Sequence, residues 1–377
     1  MKIVIAPDSY KGTLSSPEAA EIIAGAMREK LPLARVLQCP IADGGEGTAT
    51  CLAKALDGGI VVTTVKNCYF EDTQVKIALI DGGKTAVVEM AQAAGLHFAE
   101  GRKNPMLTTT FGVGQMISTA LALGVKKILL CLGGSATNDL GCGAAAALGA
   151  RFSDAAGEDM LPLGGTLDEV AKIDISALKA ALSCVEIVAL TDVAGTLCGE
   201  NGAAKRYAPQ KGADGAMVDV LEAGAAHMLD RIRDDLGLDL ADLPGGGAAG
   251  GFGCGAAAFF GAKLQSGVET VLDALNFDRM IEGADLVVTG EGCTDVQSTQ
   301  GKAISGVLRH ARGVEVPVFL LSGALSGTGN FGADAAFSTL RDFCIFADVK
   351  DGAAENLRAA AENLAAAIAL GYAAANG

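Results

Sequence analysis

Five glycine-bearing loops hold the residues whose types could do chemistry. "APDSYKGTLSS" contains Asp8, Ser9 and Lys11, "PIADGGEGT" contains Asp43, Glu46 and Thr48, and "GGSATNDLG" contains Ser135, Thr137, Asn138 and Asp139. "LTDVAGTLCGENGAAKRYAPQKGA" contains Asp192, Asn201, Lys205 and Lys211, and "VVTGEGCTDVQSTQGKA" contains Glu291, Asp295, Gln297, Ser298 and Lys302. Each loop follows an apolar run. Singly, Asp8 or Asp43 fits a turn cap as well as a ligand contact, and glycine before a helix fits tight packing alone. Together, such loops at strand ends describe a site for a small, charged, oxygen-rich ligand.

The stretch "KKILLCLGGSATNDLGCGAAAALGA" reads as strand, glycine turn and helix N-terminus, an arrangement that seats phosphate. The P-loop signature G-x-x-x-x-G-K-[ST] is absent from the chain. Phosphoryl transfer needs chiefly positioning and charge neutralisation. Glycine-turn amides, lysines and carboxylates able to hold Mg²⁺ or accept a hydroxyl proton are all present. Hydride transfer would call for G-x-G-x-x-G after the first strand. "KIVIAP" is followed instead by Asp8-Ser9-Tyr10-Lys11-Gly12, so a NAD-linked dehydrogenase is a distant alternative.

The chain has 377 residues, enough for two domains, and 50% are hydrophobic against 19% charged. The net charge is −15, with no basic run and no tryptophan, so the electrostatic footprint of nucleic-acid binding is missing. No long charge-free apolar run suggests a membrane span, and "MKIVIAPDSY" is too short for a signal-peptide core. Ten cysteines lack any C-x-x-C pair. Several, among them Cys131 and Cys184, lie in or beside apolar runs and read as buried thiols of a cytoplasmic protein. The isolated His97, His227 and His310 give no histidine zinc site.

Elements that must position these loops alternate between strand and helix. "KIVIAP", "ARVLQCP", "LGVKKILLCLGG", "VEIVAL", "ADLVVTGEG" and "VPVFLLSGAL" read as strands. "SSPEAAEIIAGAMREKL" reads as a helix with Ser16 as its cap and Pro17 at the first helical position. "QVKIALIDGGKTAVVEM" reads as a hairpin around Asp81-Gly82-Gly83. "MVDVLEAGAAHMLDRIRDDLGLDL" is an amphipathic helix, and Leu357, Leu364 and Ile368 stripe a C-terminal one. The expected fold class is α/β with two domains. A parallel-sheet Rossmann-like domain is built from both chain ends, 1–66 and 276–377, and a mixed-sheet α/β domain, 67–275, is inserted in it. The active site is expected in the cleft between them.

In order along the chain, "KIVIAPDSYKGTLS", "ADGGEGT", "VEMAQAAGL", "NPMLTTTFGVGQMI", "GGSATNDLGCG", "GENGAAKRYAPQKGA", "PGGGAAGGFG", "LQSGVETVLDALNF" and "TGEGCTDVQSTQGKA" resemble the motifs of the type 1 bacterial glycerate kinases. The resemblance implies ATP- and Mg²⁺-dependent phosphorylation of D-glycerate, with 2-phosphoglycerate as the product, by two α/β domains. Three positions depart from the family pattern. Cys293 in "TGEGCTD" stands where the family has arginine, Ile304 in "GKAI" where it has proline, and Leu140 interrupts the second glycine run after "TND". An arginine clamps carboxylate or phosphate, and cysteine cannot replace it.

Within that reading Asp192, which ends "VEIVAL", is expected as general base on the substrate hydroxyl, with a Mg²⁺ ligand or a turn cap as its other roles. Gly133, Gly134, Ser135 and Thr137 are expected to hold phosphate, with charge from Lys11 or Lys211, and Asp139 to touch the metal. Asp8, Ser9, Lys11, Asp43, Glu46 and Asn201 are expected to join the site. Glu291, Asp295 and Lys302 would meet substrate or metal, with Lys11 and Asp295 beside Asp192 in the catalytic group, and Gln297 and Ser298 would bond substrate hydroxyls. The Gly246–Gly253 run is expected to serve helix packing, and Cys293 to be a neutral spacer. The alternatives are a kinase of the same fold acting on another small hydroxy acid and a non-catalytic metabolite-binding protein. A monomer or homodimer is expected, without nucleic-acid or membrane partners.

Overall fold

The computed structural model describes residues 1–295, 298, 302–341 and 346–376. The fold is α/β, and the chain divides into two compact units, Met1–Asp43 with Val268–Gly377, and Gly44–Gly267. In the first, five parallel strands run in the order Ala335–Ser338, Val318–Ser322, Leu286–Thr289, Lys2–Ile5 and Arg35–Gln38. The central strands are short β-branched runs whose Ile3, Val4, Ile5, Val287 and Val288 are buried, as a sheet covered on both faces requires.

Helix Ser16–Lys30 begins one residue earlier than its sequence suggests. Ser15 is the cap: its Oγ accepts from Glu18 N at 3.4 Å, while Glu18 Oε2 accepts from Ser15 N at 2.8 Å. This reciprocal capping box satisfies two end donors at once. Ser16 Oγ instead donates to the Pro7 carbonyl at 2.7 Å, tying the helix start to the loop after the first strand. Ala20, Ile23, Ala24 and Met27 of this helix share a core with Leu357, Ala361, Leu364 and Ala365 of helix Phe346–Asn376.

The second unit holds a six-stranded mixed sheet in the order Lys263–Gln265, Glu186–Leu190, Lys127–Cys131, Thr85–Glu89, Asp72–Ile80 and Gly59–Lys66. The first four strands are mutually parallel, and the last two join antiparallel. The hairpin expected at Asp81–Gly83 is present as a short 3₁₀ turn. Strand Gly59–Lys66 pairs with Asp72–Ile80 along its whole length, which carries residues 44–66 into this unit. The compact units meet at 43/44 and 267/268, where the sequence suggested 66/67 and 275/276. Helix Gly215–Leu236, capped by Asp214 and closed by Gly237 at φ 71°, packs outside the sheet. Among the described cysteines Cys131 is buried but Cys184 is exposed, since Cys184 sits just past the end of helix Ser176–Leu182. No described helix is long and apolar enough to cross a membrane.

Candidate active site

Parallel strands release their chain on one edge, where α/β proteins bind ligands. In the Gly44–Gly267 unit the loops leaving this edge pack on one another through glycines. A Cβ built on Gly133 would lie 2.7 Å from Gly45 Cα, and one on Gly44 would lie 2.9 Å from Gly267 Cα. A Cβ on Gly247 would lie 2.3 Å from the Thr196 carbonyl, and one on Gly250 2.0 Å from the Thr137 carbonyl. Only hydrogen fits at such approaches, so the segments near 45, 133–139, 195–196, 245–250 and 267 form one interlocked group. The Gly246–Gly253 run does serve packing, with Gly247 against Thr196, Gly250 against the Thr137 carbonyl of the "SATND" loop and Gly251 against Leu197 and Leu140.

That loop runs from strand Lys127–Cys131 to helix Cys142–Ala147. Gly134, Leu140 and Gly141 have φ of 76°, 53° and 75°, so the chain bends sharply at both ends. Asp139 anchors it from inside. Its Oδ2 accepts from Thr110 N at 2.7 Å, Thr110 Oγ1 at 2.8 Å, Thr109 Oγ1 at 3.3 Å and Gly143 N at 3.3 Å, and its Oδ1 accepts from Gly141 N at 3.2 Å. The residue is fully buried, and burial pushes its carboxyl above the usual aspartate range against those donors. Both of its oxygens are thus engaged by the protein at the place where a metal contact was expected.

Lys211 is also inside. Its Nζ donates to Ser135 Oγ at 3.0 Å and to the Thr137 carbonyl at 2.6 Å, and only 2% of the residue is exposed. Burial lowers its ammonium to about 7, with Asp139 opposing that shift. Among the described residues, Thr137 Oγ1 and Asn138 Oδ1, with Glu222 Oε2, are buried without a hydrogen-bond partner. Gly134 is exposed at the loop's surface.

Asp192 lies two residues beyond strand Glu186–Leu190 and is half-buried. Its Oδ1 accepts from Ser266 Oγ at 2.6 Å and from Gly267 N at 3.1 Å. Glu46 is exposed, whereas Glu89, at the end of strand Thr85–Glu89, is buried and accepts from Ala49 N at 2.6 Å and Gln92 Nε2 at 3.0 Å. Glu89 thereby fixes the helix that follows the "DGGEG" loop. Asn201 is exposed and accepts from Arg206 at 3.3 Å, and Lys205 pairs with Glu200 at 2.7 Å.

In the unit built from the two chain ends, Asp8, Asp43 and Glu291 follow strands Lys2–Ile5, Arg35–Gln38 and Leu286–Thr289. Burial raises the Asp8 carboxyl well above its ordinary range, with repulsion from Asp43 and Glu291 adding and Lys302 opposing. Glu291 is raised by burial too, and Thr294 Oγ1 donates to its Oε1 at 3.1 Å. Ser9 N donates to Asp8 Oδ1 at 2.6 Å, and Ser298 N to Asp295 Oδ1 at 2.9 Å. Lys11 is exposed and Lys302 half-buried. Gln297 lies outside the described residues. Among the described residues no three His, Cys, Asp or Glu side chains group as metal ligands.

Thr108, Thr109 and Thr110, all fully buried, are missing from the sequence-derived set. So are Glu89 and Ser266. The signal for the threonines was the run "LTTTF" before helix Phe111–Ala122. For Ser266 it was the motif "LQSGVETVLDALNF", and for Glu89 "VEMAQAAGL".

The profile of the glycerate kinase family matches residues 3–369. Glycerate kinase of Bacillus subtilis (strain 168) is 40% identical over 375 residues, 98% of each chain. Glycerate 2-kinase of Escherichia coli (strain K12) is 41% identical over 376 residues, 98% of this chain and 99% of that one. A crystal structure of a glycerate kinase 2 from Salmonella typhimurium LT2 is 42% identical, covers 99% of both chains and superposes with a TM-score of 0.88. The expected resemblance, the α/β fold and the kinase activity class are thus shown, and the dehydrogenase and binding-only readings fall. The chain is an enzyme of the glycerate kinase family.

Proposed function

We propose that this enzyme transfers the γ-phosphoryl group of Mg²⁺-bound ATP to the 2-hydroxyl of D-glycerate, giving 2-phosphoglycerate and ADP. The observation that carries this reading is the "GGSATND" loop. It is pinned from inside by Asp139 and Lys211 while the Thr137 hydroxyl and Asn138 carbonyl oxygen have no protein partner. Such a loop meets the chief demand of phosphoryl transfer, fixed donors around a charged group.

In this reading the amides of Gly133 and Gly134, with Ser135 and Thr137, hold phosphate oxygens. Lys211 holds the loop rather than the phosphate. Asp192 accepts the proton of the glycerate hydroxyl as its oxygen bonds to phosphorus and the bond to ADP breaks. Asp8, Asp43, Glu291, Asp295, Ser298 and Lys302, with Ser9 and Lys11, contribute substrate contacts. Mg²⁺ belongs to the nucleotide substrate and offsets its charge. The ATP requirement is consistent with a cytoplasmic enzyme.

A second reading keeps the fold and the chemistry but shifts to another small hydroxy acid, because exposed Cys293 stands where the family carries arginine. ADP release from MgATP with D-glycerate, L-glycerate and a panel of hydroxy acids separates the two, with phosphorus NMR locating the product phosphate. Turnover confined to another acid would displace the first reading. No turnover by folded enzyme on any panel member would end both.

A further inference from the structure

We infer that Ser266 is a positioning residue for the transfer, an inference that rests on Asp192 as the proton acceptor. The two residues come from adjacent strand ends. Strands Glu186–Leu190 and Lys263–Gln265 run parallel with Leu190 opposite Gln265, and Thr191 N donates to the Gln265 carbonyl at 2.9 Å. Ser266 is the first residue past one strand and Asp192 the second past the other. Ser266 Oγ then meets Asp192 Oδ1 at 2.6 Å, with Gly267 N beside it at 3.1 Å.

The junction leaves little room for adjustment. A Cβ on Gly44 would lie 2.9 Å from Gly267 Cα and 3.0 Å from Leu190 Cβ, so the start of the "GGEG" segment is packed on the residues that flank the Asp192–Ser266 pair. An aspartate at a strand end can turn about two side-chain torsions, and a proton acceptor must stay within hydrogen-bond reach of its hydroxyl. A misplacement of about 1 Å can lower a rate about 100-fold. The serine hydroxyl fixes one carboxylate oxygen and thereby the plane of the group. That bond is stronger to a charged acceptor than to a neutral one.

The test compares Ser266→Ala, Ser266→Thr and Asp192→Asn in the full chain, reading kcat, KM and the pH profile of kcat/KM on the acid that the enzyme turns over. Ser266→Ala is expected to lower kcat by about 10- to 100-fold with KM nearly unchanged, and to move the acid limb to higher pH. Ser266→Thr, which keeps the hydroxyl, restores most of kcat. Wild-type kinetics in Ser266→Ala overturn the inference. So does an equal loss in the alanine and threonine variants with the acid limb unmoved. Asp192→Asn decides the underlying assignment: substantial kcat in that variant removes Asp192 as the base and Ser266's role with it. An inactive Asp192→Asn beside an unaffected Ser266→Ala leaves the base standing and removes only the role of Ser266.

Discussion

Lys211 Nζ donates to the Thr137 carbonyl at 2.6 Å across 74 residues of chain. A lysine is rarely fully buried unless it is paired, and this one spends its donors on a loop backbone and on Ser135 Oγ. The lysine of a P-loop reaches its phosphate directly. Here the cation lies beneath the loop and holds its shape.

The pH dependence of stability should reveal this burial. The folded protein holds the Lys211 proton with a pKa of about 7, against about 10.4 in an unfolded chain. Below pH 7 both states are protonated and stability does not change through this group. Between about 7 and 10.4 the unfolded state binds more protons, so stability rises with pH, by up to ~1.4 kcal/mol per unit. Urea unfolding of wild type and Lys211→Met at pH 6.5, 7.5 and 8.5 isolates this term from other titrating groups. The wild type is expected to gain on the variant above pH 7. Parallel profiles would mean that Lys211 keeps its charge in the fold.

Gly250→Ala tests whether the glycine run is a support for the phosphate loop. The added methyl would sit 2.0 Å from the Thr137 carbonyl at a φ of +69°, so either the loop moves or the helix does. Gly261→Ala is the control, with a similar φ of +62° and open space around its Cβ. Gly261→Ala is expected to lose only about 1 kcal/mol of stability, the left-handed backbone term. Gly250→Ala is expected to lose about 2–4 kcal/mol and to raise the KM for ATP. Equal melting temperatures and nucleotide KM in the two variants would sink the idea.

The strands were legible because short β-branched runs ending in glycine, such as "KIVIAP" and "ADLVVTGEG", have few other uses. The motif loops were legible through their polar residues. What each polar residue faces was not, because Asp139 and Lys211 differ from a solvated aspartate and lysine only through distant partners at Thr109, Thr110, Ser135 and Thr137. The partner of residues 59–66 was not legible for a similar reason. "GIVVTTVK" shows a strand but not that its partner is Asp72–Ile80 rather than the N-terminal sheet. Ser266 lies in the motif "LQSGVETVLDALNF", but its partner Asp192 was not legible, since that contact depends on the register that sets Gln265 beside Leu190.

Asp139→Asn separates an anchor from a metal ligand. The amide keeps one acceptor oxygen but turns an NH₂ toward donors that in the wild type meet a carboxylate oxygen. Unsatisfied buried donors cost about 1–3 kcal/mol each, so the variant is expected to melt well below wild type. Its Mg²⁺ concentration for half-maximal activity, measured at a temperature where it stays folded, is expected to be unchanged. A large rise in that concentration with an unaltered melting temperature would return Asp139 to the metal.

Cys293→Arg addresses substrate choice. Cys293 is exposed in the two-residue strand Cys293–Thr294, paired with Ala324–Leu325, and its thiol is pushed up by burial, Asp295 and Glu291. A thiol raised this way stays protonated at neutral pH and offers a carboxylate substrate no charge. An arginine at 293 would add a cation among these carboxylates and a bidentate partner for the acid. If the native enzyme merely lost part of its grip on D-glycerate, the variant should lower KM about tenfold, the effect of ~1.4 kcal/mol, with kcat nearly constant. If Cys293 belongs to a shifted specificity, the variant should instead lose turnover on the native acid as it gains on glycerate. The ratio of kcat/KM for the two acids decides, and a ratio unmoved by the substitution would show that position 293 does not touch the substrate carboxylate.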